Sequence, residues 1–202
     1  VNRRIARYLC ASAAHLGATP SQVSIASIVI TLSGLGVFLA LQGTPGLAGL
    51  VAAVLLALGY ALDSADGQLA RLQGSSSKQG EWLDHTLDAI RLPAVHLTIA
   101  TALLLQEVPA GAVIGAVFAV IASASFLSQN VGGLLRDTAG TERTRVRQGQ
   151  SWILLPADPG VLCWLFAFWV SIPLFLFLYA LLLVTNLLHM TMSTRRRWRE
   201  LA

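Results

Sequence analysis

The sequence is short of charge. Of its 202 residues only 12% are Asp, Glu, Lys or Arg, against about 25% in a soluble globular domain. Hydrophobic residues make up 55% and the mean hydropathy is +0.67, more apolar surface than one core can hide behind so thin a charged shell. That balance excludes a soluble domain and a disordered tail. Cysteine is nearly absent as well. Cys10 and Cys163 are the only two, which excludes a disulfide-stapled scaffold and leaves two reduced, unpaired thiols as the simplest reading. No internal repeat and no low-complexity segment is visible. The net charge is only +4, too modest to argue for nucleic acid as a partner.

What the chain does have is long apolar runs. A membrane-spanning helix needs about 20 mostly apolar residues, and the sequence predicts six. The first runs from Ser21 to Leu41, opened by Thr19-Pro20, a good helix-start pair. It is too long for a signal-peptide core and leads into further spans. The second begins near Leu47 and runs at least to Leu62, the third lies between Trp82 and Leu105, and the fourth between Ala110 and Asn130. A fifth and a sixth share Trp152 to Met192, with Ser171-Ile172-Pro173 as the turn between them. Asp158 before Pro159 reads as a helix start. Residues 1–18 read as a short amphipathic helix on the membrane surface. The expectation is therefore an all-α integral membrane protein, with this helix preceding a six-span domain over residues 19–202.

Orientation follows from where the basic residues fall. Arg3, Arg4 and Arg7 precede the first span, and Arg71 and Lys78 flank the turn between the second and third. Arg136, Arg143, Arg145 and Arg147 follow the fourth, and Arg195, Arg196, Arg197 and Arg199 follow the sixth. The turns at 42–46, 106–109 and 171–173 carry no Lys or Arg. All but one of the 14 basic residues thus lie on one side, which the positive-inside rule places in the cytoplasm together with both termini. The expected location is a bacterial plasma membrane. The exception, Arg91, is inside the third span.

Acids in a span need a reason, because a charge at the bilayer centre costs about 2.5–3.5 kcal/mol. Asp63 and Asp66 end the second span, and Asp84 and Asp88 begin the third. Spacings of three and four put each pair on one helix face, and a short connection makes the two helices antiparallel neighbours. Four carboxylates then meet at one depth at the cytoplasmic end, where they would repel unless a cation sat between them. Oxygen ligands without Cys or a clear His set point to a hard cation, Mg²⁺ first, with Mn²⁺ or Ca²⁺ behind it. Four Asp can hold two ions, an arrangement suited to displacement at phosphorus. Gly67, Ala70 and Gly80 are small residues beside the acids and would let a substrate approach the helix backbones.

The stretch reads Asp63-x2-Asp66-Gly67-x2-Ala70-Arg71-x8-Gly80-x3-Asp84-x3-Asp88. It resembles the signature of the CDP-alcohol phosphotransferase family at every fixed position and in both gap lengths. The resemblance implies that a CDP-linked alcohol, CDP-diacylglycerol by default, donates its phospho-alcohol group to the hydroxyl of a small alcohol or alcohol phosphate and releases CMP. It implies Asp63, Asp66 and Asp84 as principal metal ligands, and Asp88 as a ligand, the general base, or both. Gly67, Ala70 and Gly80 would make room for the nucleotide, and Arg71 would contact phosphate or brace an Asp. Arg91, on the Asp84–Asp88 face, would bind a phosphate or balance the acids. Arg136, Arg147 and Arg195 are the candidates for an acceptor phosphate, and a homodimer is implied, with Gly111-x3-Gly115 as a small-residue face.

His85 points away from Asp84 on a helix and is not expected to be a ligand, and His96 and His189 read as packing or interfacial residues. Pro93 is expected to bend the third span. Two other readings stay open. One is transfer from a water-soluble CDP-alcohol to a lipid acceptor. The other, of a different class, is a small transporter, against which the acids cluster at one membrane face instead of at the midplane.

Overall fold

The computed structural model describes residues 2–138 and 158–200, with side chains over 5–135 and 158–199. Every regular element among them is helical. A surface helix, α1 (Asn2–His15), is followed by α2 (Pro20–Ala40), α3 (Pro45–Leu72), α4 (Lys78–Leu105) and α5 (Pro109–Thr138). After the undescribed segment come a short α6 (Pro159–Leu165), a 3₁₀ helix (Phe166–Val170) and α7 (Ile172–Glu200). Five helices, α2 to α5 and α7, are long and apolar enough to cross a membrane. Their outward sides carry exposed Val113, Val120, Phe177 and Leu181, as lipid-facing helices must when all backbone polar groups are satisfied within the helix. The protein is a multi-pass membrane protein of the all-α class.

The helix starts are local chemistry. Thr19 accepts from the Gln22 amide while the Gln22 side chain accepts from the Thr19 amide, a reciprocal cap ahead of Pro20. Asp158 caps α6 through the Gly160 amide at 2.7 Å, and Ser77 caps α4 through Gly80 at 3.1 Å. The expected fifth span begins at Trp152, outside the described residues; its described part is α6 and the 3₁₀ helix. The second span, read as running at least to Leu62, continues unbroken to Leu72 as α3. The acids therefore lie within the last turns of a 28-residue helix rather than at its end. Polar Gln68 and Arg71 close the apolar run without breaking the helix, because both are good helix formers. Pro93 sits inside α4, which is one helix through that position.

Helix α3 is the spine. It packs along α2, carries α1 on its acid-bearing half and meets α6 and the 3₁₀ helix at the other. Contact with α2 is tight at Gly59, where a Cβ would stand 2.3 Å from Thr31 Oγ1. Beyond Gly59, away from the acids, an aromatic cluster fills the core, with the Phe38 ring 4.9 Å from Phe166 and 4.8 Å from Trp169. A smaller cluster of Ala6, Cys10 and Ala13 with Val23, Ala65 and Leu69 fastens α1 to the acid-bearing end. The Gln73 side chain ties the end of α3 to the Ala18 carbonyl at 3.0 Å. Both cysteines are buried and free. His96 is a packing residue, buried against Phe118 and bonded through Nδ1 to the Tyr179 hydroxyl at 2.7 Å. Gly111 and Gly115 pack inside the chain, Gly115 so closely that a Cβ would lie 2.9 Å from Ala100 Cβ on α4.

Candidate active site

Helices α3 and α4 are joined by a turn of polar residues, Gln73 to Ser77, and run back past each other. That hairpin brings Asp63 and Asp66 of α3 opposite Asp84 of α4. One carboxylate oxygen from each of the three lies within 4.8 Å of the other two. Asp66 is buried at the back of the group, held on both oxygens. Ser24 of α2 donates to its Oδ2 at 2.6 Å, and the Gly67 amide donates to its Oδ1. The donor set is hard oxygen throughout, which fits a small divalent cation with room for water or substrate oxygens to complete its shell.

Asp88 is placed differently. Arg91, one turn further along α4, lays its guanidinium between Asp88 and Asp63: Nη1 donates to Asp63 Oδ1 at 2.6 Å and to Asp88 Oδ1 at 2.7 Å. Its Nη2 donates to Ser27 Oγ on α2 at 2.7 Å. The Ser27 hydroxyl passes its own hydrogen to the Gly59 carbonyl at 2.8 Å, so the hydroxyl oxygen's lone pairs are free to receive Arg91. Exposure rises across the site, from 11% for the Arg91 side chain through 19% for Asp63 and 27% for Asp88 to 39% for Asp84. The acids therefore open towards the Asp84 side, with Asp66 and Arg91 at the floor. Arg91 is thus ion-paired with both Asp63 and Asp88.

A second polar feature lies round the corner of α3. A groove of about 460 Å³ is lined by Arg7 of α1 with Ser64, Gln68 and Arg71 of α3. The Arg71 guanidinium folds back towards Gly67, whose missing Cβ would lie 3.6 Å from Nη1. On α3, at 100° per residue, Gly67 lies between this groove and the acids, and Ala70 follows Asp66 on the acid-bearing face. Gly80 is in the first turn of α4, where a Cβ would meet the capping Ser77 hydroxyl at 3.3 Å. His85 lies 4.0 Å from Asp84 Oδ2 and 3.9 Å from Glu81, and belongs to no metal-competent group among the described residues. Arg195 is exposed near the end of α7. The side chain of Arg136, and all of Arg147, lie outside the described residues.

Three residues at the site escape a reading of the sequence. Ser24 and Ser27 carry the acid and the arginine, and with Thr31 they recur at helical spacing down one face of an otherwise apolar span. That periodicity of polar residues is the available signal. Arg7 reads from sequence only as topology-setting charge, yet it shares a groove with a residue of the acid motif.

A family model described as CDP-alcohol phosphatidyltransferase matches residues 18–195. The archaetidylinositol phosphate synthase of Pyrococcus horikoshii is 39% identical to the chain over 87 residues, 43% of this chain and 43% of that protein. The chain thus matches less than half the length of this curated relative.

Proposed function

The chain belongs to the CDP-alcohol phosphatidyltransferase family, and from that premise we propose that it moves a phospho-alcohol group from a CDP-linked lipid, CDP-diacylglycerol in first place, to an acceptor hydroxyl. The observation that carries the reading is the meeting of Asp63, Asp66 and Asp84, with an oxygen of each within 4.8 Å of the others. Such a group needs a cation. We assign Mg²⁺, with Mn²⁺ as a substitute. Bound there, the ion would neutralise the pyrophosphate and stabilise the departing nucleotide.

The chain's own groups position the rest. The acceptor oxygen attacks the β-phosphorus; a new P–O bond forms as the bond from that phosphorus to CMP breaks, and CMP leaves with the electron pair. Asp88 takes the acceptor's proton on Oδ2, the oxygen that Arg91 does not touch. Gly67, Ala70 and Gly80 leave the helix faces open for the cytidine nucleotide. Arg7 and Arg71 hold a donor phosphate in the groove beside Gly67, a task suited to the guanidinium fork.

The acceptor is an alcohol phosphate. The name of the Pyrococcus relative supports an inositol phosphate, and Arg195, with Arg136 and Arg147, stays assigned to its phosphate. The site and both termini face the cytoplasm, the side to which the basic residues fall. In the homodimer implied by the family, the contact would use apolar helix faces other than Gly111 and Gly115, which pack within the chain.

The test is CMP release by purified protein in lipid, with Mg²⁺ or EDTA. CDP-diacylglycerol is offered with glycerol 3-phosphate, inositol phosphate, inositol or serine. Release that needs both metal and one phosphorylated acceptor is expected. Release only from a water-soluble CDP-alcohol with a lipid acceptor would reverse donor and acceptor. No CMP from either donor class would overturn the transferase reading.

A further inference from the structure

The geometry points to Arg91 as a built-in cation that takes the place of a second metal ion between Asp63 and Asp88. This inference rests on the reading of Asp63, Asp66 and Asp84 as a divalent-metal site. Two ions would be the simple expectation for four carboxylates. Here the position between Asp63 Oδ1 and Asp88 Oδ1 is already filled by Arg91 Nη1, 2.6 and 2.7 Å away. A guanidinium nitrogen and a divalent ion cannot share that position. The resting site therefore binds one ion, on Asp63, Asp66 and Asp84, and Asp88 is oriented by an arginine instead of by a metal.

The seat is specific to this side chain. Arg91 lies three residues after Asp88, on the same helix face, and reaches Asp63 on α3 and Ser27 on α2 at once. Ser27 is wholly buried and its hydrogen is committed to Gly59, so it acts towards Arg91 as an acceptor only. Three helices thus hold one guanidinium, which presents several donors in a fixed plane; a lysine ammonium could not span these partners in the same way. The Arg91 side chain is 11% exposed, and leaving a charge so placed without its partners is costly. Arg91 is a positioning residue: it fixes the carboxylate of Asp88 and sets how many ions the acids accept.

The experiment counts metal without substrate. Purified metal-free protein in lipid nanodiscs is titrated with Mn²⁺, bound ions being counted by calorimetry and by electron paramagnetic resonance. Wild type is expected to bind one Mn²⁺ per chain. Arg91→Gln is expected to bind two, or to bind the first at least about tenfold more tightly, since removing a positive charge a few ångström away favours a cation. Should Arg91→Gln fail to fold, Ser27→Ala carries the test, because it loosens the arginine without touching a carboxylate. There the variant should take up a second Mn²⁺ that wild type does not bind, because the arginine has lost one of its hydrogen bonds, the one to Ser27. Two ions on wild type, or a folded Arg91→Gln with unchanged stoichiometry and affinity, would overturn the inference while leaving the transferase reading intact. Wild type that binds no ion would overturn the metal reading, and this inference with it.

Discussion

The Ser24 hydroxyl on α2 donates to Asp66 Oδ2 on α3 across 2.6 Å, and both residues are buried. The bond crosses between two spans that share no local sequence. It fixes the rotamer of the deepest acid, and with the Gly67 amide on Oδ1 it leaves one lone pair on each oxygen for a ligand. Outer partners of this kind orient metal ligands and are costly to remove.

Ser24→Ala should therefore weaken metal binding by about 10-fold to 100-fold, the usual cost of losing an orienting partner. The change removes one hydroxyl and adds no bulk, so the fold should survive. Mn²⁺ titration of the variant, and the Mg²⁺ concentration at which its turnover is half-maximal, both read the effect. Unchanged metal affinity would mean that Asp66 does not hold the ion.

Asp88→Asn should lower kcat by about 10²-fold to 10⁴-fold, the range for a removed general base, while nucleotide binding persists. The neutral amide can no longer pair with Arg91 as an anion, but Asp63 still holds the guanidinium, 2.6 Å away. Single-turnover CMP release separates chemistry from binding, and calorimetry with CMP checks the site itself. Wild-type turnover in this variant would remove Asp88 from the proton transfer.

Much of this site could be read from the chain because its parts are local. Asp63 and Asp66 on one face, Asp84 and Asp88 on another, and a short polar turn between them require an antiparallel hairpin with acids opposed. The Arg91–Asp88 pair follows from a spacing of three. The partners on α2 were not legible in the same way. Nothing near Ser24 or Ser27 says which span they face, and the pairing with Asp66 and Arg91 exists only once α2 lies along α3. The end of α3 is not marked by hydropathy, for a different reason. Hydropathy falls where a helix reaches the headgroups, while the backbone continues for as long as helix formers such as Gln68 and Arg71 permit. Arg7 is hidden by a sound general rule, because a basic residue before a first span already has an explanation in topology.

Arg7→Ala and Arg71→Ala should each raise KM for the CDP-linked donor by about tenfold with little change in kcat, as expected when a contact made equally in the ground and transition states is lost. Both side chains line the groove with Ser64 and Gln68, outside the acid cluster. Steady-state kinetics at two salt concentrations would check this, and the wild-type advantage should shrink at high salt. If Arg7→Ala leaves KM unchanged, α1 has no part in holding the donor.

The packing of α2 on α3 at Gly59 sets the site's register. At Gly59 a Cβ would meet Thr31 Oγ1 at 2.3 Å and the Ser27 carbonyl at 3.1 Å. Gly59→Ala must therefore push α2 away from α3 or displace Thr31. Overpacking of this sort costs about 1–3 kcal/mol, and the thermal midpoint in lipid, followed by tryptophan fluorescence, should fall. The same displacement moves Ser27, and with it the seat of Arg91, so Mn²⁺ binding should change along with stability. Adding Thr31→Ala removes the nearest atom. It also removes the Thr31 bond to the Ser27 carbonyl, a loss of about 1 kcal/mol. The double variant should recover part of the midpoint, by the excess of the relieved clash over that bond. A single variant as stable as wild type would show that α2 and α3 yield at this crossing, and that the Ser27–Arg91–Asp63 geometry does not depend on close approach at Gly59.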